Sequence, residues 1–234
     1  MTRMRELIQT CRERGVRITY THIFVRAAAL ALAANPDLHA MICGSKVCYS
    51  AEVDIALSID ANSALAPVLV IEGAESKPLP AIAREVKDRI PQIQEQHRKM
   101  ISLLQRWGWL IPFSLLRRRL LLLLYHSFDF RRKGSGTFQV STAAGVDSFA
   151  TPLFNASGIL TAGKVRERVI AISGSAVICP TVILTCSADH RLWNGQSCQR
   201  FLLSVQTILE GEQLQFELAG QLSELPSSQQ EIRN

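Results

Sequence analysis

Aromatic residues are scarce in this chain, at 6% of 234 residues, and its six cysteines contain no Cys-x-x-Cys pair. The spacings of Cys11, Cys43, Cys48, Cys179, Cys186 and Cys198 fit no zinc pattern, which argues against a finger or ribbon. No Gly-rich phosphate loop occurs, which argues against a Rossmann or P-loop nucleotide fold. The N-terminal Met-Thr-Arg-Met-Arg-Glu-Leu leads into no apolar core of the length a secretory leader needs, so a cytoplasmic location and reduced thiols are expected. Cys179 and Cys186 sit in apolar β-like runs and are expected to be buried free thiols. Cys43 and Cys48 flank Gly44-Ser45-Lys46, a spacing that a hairpin could close. Internal repeats are absent. Basic residues interleaved with aromatics are missing outside residues 107–133, so nucleic acid is not an expected partner.

What is present is aliphatic. A hydrophobic content of 47% with 20% charged residues suits a single α/β domain with a large core. The net charge of +6 would suit acidic ligands such as nucleotides or coenzyme A, but nucleic acid or anionic membrane equally. Arginines of residues 97–133 supply much of that excess, which reads as a local basic patch.

The spacing of Met4, Leu7, Ile8 and Cys11 predicts a helix over residues 2–14, ended by Gly15. A second helix through Ile23–Leu32 is apolar nearly all round and should be buried, with Asn35-Pro36 closing it. Strands are expected at Lys46–Tyr49, Asp54–Ile59 and Ala66–Ile71. A long helix is expected over Leu79–Leu104, kinked or broken at Pro91. Further strands follow at Gly136–Thr142, Gly158–Val165, Val169–Ile172 and Thr181–Ser187, then a helix from about Gln196 to Leu209. This interleaving predicts a two-layer α/β sandwich with a mixed sheet covered by helices. The expected domain spans residues 1–220, with an apolar and basic insertion at about 101–133 and a polar tail over 221–234.

One stretch carries chemistry. Asp189-His190-Arg191-Leu192-Trp193-Asn194-Gly195 follows the apolar run Thr181–Cys186, which places an imidazole at a strand end where it is fixed yet accessible. The stretch resembles the Asp-His-Arg-x-x-Asp-Gly motif of the dihydrolipoamide acyltransferases, core subunits of 2-oxo acid dehydrogenase complexes, with Asn194 where most of the family has Asp. The resemblance continues in order through the chain. It includes Thr19–Leu32 with Asn35–Ala40, Val53–Asp60, Leu65–Val68, Gly136–Ser141, Gly158–Val165 and Phe201-Leu202. It implies a chloramphenicol-acetyltransferase-like fold and an acyltransferase acting between coenzyme A and a thiol or other nucleophile.

On that resemblance His190 is the general base and Ser141 the hydroxyl that stabilises the tetrahedral oxyanion. Asn194 keeps the hydrogen-bonding shape of the usual Asp without its charge; its other reading is a helix N-cap. Asp189 and Arg191 hold the loop, Gly195 permits a close turn, and Trp193 either packs or narrows an acyl pocket. The resemblance also implies a homotrimer or larger symmetric oligomer, His190 of one subunit facing Ser141 of the next. A covalent lipoyl group is not expected on this chain, so a lipoyl-bearing or acyl-carrier partner is implied. The further helix and strand with which the family's catalytic domain begins have no counterpart before Met4. Two rivals stand beside the free-standing enzyme: a core subunit of a 2-oxo acid dehydrogenase-type complex, and a catalytically weak trimeric scaffold.

Residues 107–133 stand apart. Their charge-free apolar runs, Trp107–Leu116 and Leu120–Ser127, fall short of the roughly 20 residues that span a bilayer. An interfacial helix on anionic lipid, a hairpin packed on the oligomer and the wall of an acyl tunnel all fit, and packing is the favoured expectation.

Overall fold

The computed structural model describes residues 1–59, 67–107, 126–153 and 155–217, together with Arg119 and Leu122. Most of the segment 107–133 and the whole tail 221–234 therefore lie outside the described residues. In chain order the elements are α1 (Thr2–Glu13), α2 (Tyr20–Ala33), a 3-10 turn (Pro36–Leu38), β1 (Ala40–Cys43), β2 (Lys46–Tyr49), β3 (Ile55–Ser58) and β4 (Val68–Ile71). Then come α3 (Leu79–Trp107), α4 (Phe128–Ser135), β5 (Phe138–Thr142), β6 (Gly158–Ala162), β7 (Arg166–Ile172), β8 (Ser175–Thr181), β9 (Leu184–Ala188) and α5 (Gly195–Glu210).

A five-stranded sheet ordered β4-β3-β5-β6-β9 forms the centre. Strands β3, β5 and β6 run parallel, while β4 and β9 pair antiparallel at the two edges. The mixed sheet and the single helical layer follow the sequence expectation. Side chains alternate across the sheet, so Phe138 and Val140 of β5 share a face with Leu160 of β6. That face packs under α2 and α5. Phe138 lies 5.0 Å from Phe201 and 6.0 Å from Trp193, ring centre to ring centre, and Trp193 meets Phe201 edge-on at 5.5 Å. This aromatic trio is buried, and its burial and ring geometry make it a stabilising centre.

Helix α2 is buried as its apolar sequence requires, and carries one charge inward. Arg26 donates to the Ala74 and Glu75 carbonyls at 3.0 and 2.7 Å and pairs with Glu217, so its charge is compensated in the core. A second buried pair ties α4 to the sheet: Arg132 Nε stands 2.7 Å from Asp54 Oδ2. Gly73 N–H donates to the other Asp54 oxygen at 3.0 Å, and burial pushes this carboxyl's pKa up.

Several expectations are corrected. Of the kink or break expected at Pro91, the break is not found: helix α3 is continuous through this exposed proline. The run Thr181–Ser187 is two strands, because β8 ends at Thr181 and β9 starts at Leu184. β8 pairs with β7 in a hairpin of its own, closed by Ser173 and Gly174, both at positive φ as a two-residue hairpin turn demands. Cys179 consequently sits half-buried on that hairpin rather than in the core. Strand β1 and helix α4 had no separate signal in the sequence. All six cysteines are free.

Candidate active site

Strand β9 delivers the histidine. Its last residue, Ala188, pairs with Gly158 at the start of β6, and Asp189 N–H donates to the Ser157 carbonyl at 2.9 Å. The chain then turns. Leu192 and Trp193 both donate their N–H to the Asp189 carbonyl at 2.9 Å, which closes the loop and feeds it into α5. Trp193 anchors the exit: it is 2% exposed, and its indole N–H donates to the Leu38 carbonyl at 2.9 Å. It packs.

The loop is further held by its own charges. Arg191 Nη2 stands 2.5 Å from Asp189 Oδ2, and its Nε donates to Oδ1 at 2.9 Å. This hydrogen bonding holds the Asp189 carboxyl below the usual carboxylate range. Arg191 is otherwise in solvent, so the pair fixes loop shape more than it stabilises the fold. His190 itself is exposed at the tip. Among the described residues no hydrogen bond or ion pair reaches its ring.

Asn194 is the N-cap of α5. Its Oδ1 accepts from Ser197 N–H at 2.9 Å and from the Ser197 hydroxyl at 3.0 Å. Gly195 opens the helix, but its φ is not positive and a Cβ there would meet nothing within 4 Å. The close turn expected to need glycine at this position is therefore not found.

Ser141 lies elsewhere. It is half-buried near the end of β5, on the sheet face opposite α2 and α5, and it pairs in register with Thr161 of β6. Thr161 in turn pairs with Thr185 of β9. Three hydroxyl residues thus share one rung across the sheet. The Thr161 and Thr185 hydroxyls lie 2.8 Å apart and both reach the Phe149 carbonyl, at 2.6 and 2.8 Å, which straps the 143–157 loop over that face. The two threonines carry no motif, because only the strand register places them beside Ser141. From this rung to the Gly158–Ala188 rung is three residues, roughly 10 Å, before the loop carries His190 further away. Ser141 and His190 stand at opposite ends of the sheet.

An open groove of about 780 Å³ runs along the outer side of α5. Asn194, Arg200, Leu203 and Leu30 line it, whereas His190 and Ser141 do not. No group of three or more His, Cys, Asp or Glu side chains among the described residues could hold a metal ion.

The model of one family, 2-oxoacid dehydrogenases acyltransferase (catalytic domain), matches residues 1–102 and 132–217. The chain belongs to this family. It is 28% identical over 199 residues to the dihydrolipoyllysine-residue succinyltransferase component of the 2-oxoglutarate dehydrogenase complex of Azotobacter vinelandii. That match covers 84% of this chain and 42% of the relative. The corresponding protein of Rickettsia bellii is 25% identical over 202 residues, covering 85% of this chain and 43% of its own length. The chain thus spans less than half of the curated relatives it matches. Solved structures agree on the fold. Probable dihydrolipoamide acetyltransferase of Listeria monocytogenes superposes with a TM-score of 0.61 at 24% identity, covering 86% of this chain and 74% of that one. Dihydrolipoamide acetyltransferase of A. vinelandii does so with a TM-score of 0.64 at 18% identity, covering 92% and 79%.

Proposed function

We propose that this chain is an acyltransferase, moving an acyl group between coenzyme A and a dihydrolipoamide-like thiol or another nucleophile. The neutral His190 imidazole takes the thiol proton, and the sulfur so activated attacks the acyl thioester carbon. Ser141 donates its hydroxyl hydrogen bond to the oxyanion that forms. Collapse of the intermediate expels the first thiolate, which recovers the proton from His190. Asn194 holds the start of α5, and with Asp189 and Arg191 fixes the loop that carries the histidine. In the A. vinelandii acetyltransferase a serine, a histidine and an asparagine have a role in the catalytic mechanism, the asparagine four positions after the histidine. His190 and Asn194 have the same spacing, which supports the assignment.

One observation carries the reading. Base and oxyanion donor lie at opposite ends of one sheet, so a complete site needs His190 of one copy beside Ser141 of another. A closed ring of three copies, or a larger symmetric assembly, meets that need with every site filled. On this reading residues 1–220 form one catalytic domain with an insertion at about 101–133, working in the cytoplasm. The acyl group reaches it on coenzyme A or on a lipoyl-bearing or acyl-carrier partner.

The test is subunit complementation. Wild type should release thiol from an acyl-coenzyme A thioester in the presence of dihydrolipoamide. His190→Ala should lose about 10²–10⁴-fold, and Ser141→Ala about 10²–10³-fold. Unfolding the two variants together and refolding them should restore about a quarter of the interfaces, because each site draws one residue from each chain. Two dead variants that stay dead when mixed, beside an active wild type, would place both residues in one subunit and overturn the model. Wild type that assembles without turnover would favour the scaffold.

A further inference from the structure

Charge in this chain is not spread evenly. Nine of the 26 Lys+Arg but only one of the 20 Asp+Glu fall within residues 98–133, leaving 17 basic against 19 acidic residues elsewhere. The body is slightly acidic, and one segment carries the whole positive excess. Most of that segment is additional to the family, whose model passes from residue 102 to residue 132.

The described residues around the segment are apolar as well as basic. On the last turns of α3, Met100 is 47% exposed and Leu103 56%; Leu122, ahead of α4, is 49% exposed and Phe130 of α4 48%. Both α3 and α4 contact β4, so the two helices leave the same edge of the sheet. Cations stand beside the apolar groups. Arg98 and Lys99 are 77% and 72% exposed, their ion pairs to Glu95 being solvent-facing and weak, and Arg119 and Lys133 are exposed too. Arg131 and Arg132 do not join them. Arg131 donates to the Ile42 and Asn155 carbonyls and Arg132 pairs with Asp54 and Glu52, so both serve the fold.

We propose that the surface made by the end of α3 and by α4 docks on an anionic lipid bilayer. Exposed apolar side chains flanked by unpaired-in-effect cations suit a headgroup layer, in which the former reach the acyl boundary and the latter meet phosphates. Nucleic acid would satisfy the cations and leave Met100, Leu103, Leu122 and Phe130 in water. Spanning is not the mode, since no helix among the described residues is long and apolar enough to cross a membrane. The sequence alone favoured packing on the oligomer; the exposure of these four side chains and the confinement of the charge to this one segment turn the balance. The inference stands independently of the acyltransferase reading.

Co-sedimentation of the full chain with vesicles decides it. The chain should partition onto phosphatidylcholine vesicles containing phosphatidylglycerol, release as salt is raised, and ignore phosphatidylcholine alone. Arg98→Gln with Lys99→Gln should weaken partition by about thirtyfold, since each cation near such a surface contributes on the order of 1 kcal/mol. Met100→Ser, Leu103→Ser and Phe130→Ser together should abolish it, with circular dichroism unchanged. Failure of wild type to bind anionic vesicles, equal binding to neutral ones, or binding that both variants leave intact would overturn the proposal. A wild type that ignores vesicles while the triple variant loses its oligomer would give the face to a second copy, and one that binds an oligonucleotide instead would give it to nucleic acid.

Discussion

Strand β6 and the hairpin β7–β8 are neighbours in sequence, joined by Gly163-Lys164-Val165, and both are rich in small and aliphatic residues. Their fates differ. Every residue of β6 is buried, whereas Val169 and Ile178 of the hairpin are 66% and 68% exposed and Ile172 is 48% exposed. The charges of Arg166, Glu167 and Arg168 account for the start of β7, but the exposure of its aliphatic residues is set by neighbours. β6 has β5 on one side, β9 on the other and the Phe138–Trp193–Phe201 cluster beside it. The hairpin is a two-stranded sheet of its own with solvent on both faces, and such a ribbon is marginal by itself. An apolar strand is buried by what the topology brings against it. Where the chain brings nothing, a second copy is the natural cover.

The contrast is broken most forcefully on the covered side. Trp193→Ala should cost about 3–5 kcal/mol, since it removes the largest member of a packed trio and the hydrogen bond to the Leu38 carbonyl. Urea unfolding of the variant would show it, and a cost near that of a surface change would mean that the trio does not anchor the sheet. The same side carries a proton-sensitive group. His22, at the third position of α2, accepts the Thr19 N–H on Nδ1 at 3.3 Å and is buried, and burial lowers its pKa from 6.5 to about 4. As pH falls the unfolded chain takes up this proton first. The contribution of His22 is therefore intact above about pH 6.5, falls between 6.5 and 4, and levels off roughly 3 kcal/mol lower, and His39, whose pKa burial also lowers, adds a loss of the same sign. Asp189, held below the usual carboxylate range, adds its own loss only in more acidic solution. His22→Gln keeps an acceptor for the capping position and should flatten the slope between pH 7 and 4.5. An unchanged slope would assign the titration to other groups.

Helices α1, α2, α3 and α5 could be read from sequence because their apolar positions recur every three or four residues, whereas α4 could not, and the ordered fragments from Thr19 to Phe201 identified the family. The strands were harder wherever burial is not periodic. β1 is four residues long and nearly all buried, and β8 reaches into a run that also holds β9, so the turn between them left no mark. Pro91 does not break α3, because a proline on an exposed helix face costs one bond and need not end the helix. The candidate residues were visible as letters, but their separation was not. That Ser141 and His190 lie at opposite ends follows from β6 running parallel to β5 and antiparallel to β9, a fact of pairing rather than of spacing. Thr161 and Thr185 were invisible for the same reason.

The smallest expected effect on the single chain sharpens the comparison most. Val169 and Ile178 face each other directly across the hairpin, and the other face is apolar too, with Ile170 opposite Val177. Changing both Val169 and Ile178 to Ser removes one cross-strand pair, which for a solvated ribbon contributes about 0.2–1 kcal/mol. Unfolding of the monomeric fold should barely register the change. If the hairpin is instead the surface on which copies meet, the same two substitutions place hydroxyls in an apolar contact. Sedimentation velocity should then show a lighter species, and thiol release should fall with it, because a lone chain keeps Ser141 and His190 apart. An oligomer of unchanged mass would leave the hairpin solvated in the assembly and send the search for the interface to the Ser141 face of the sheet.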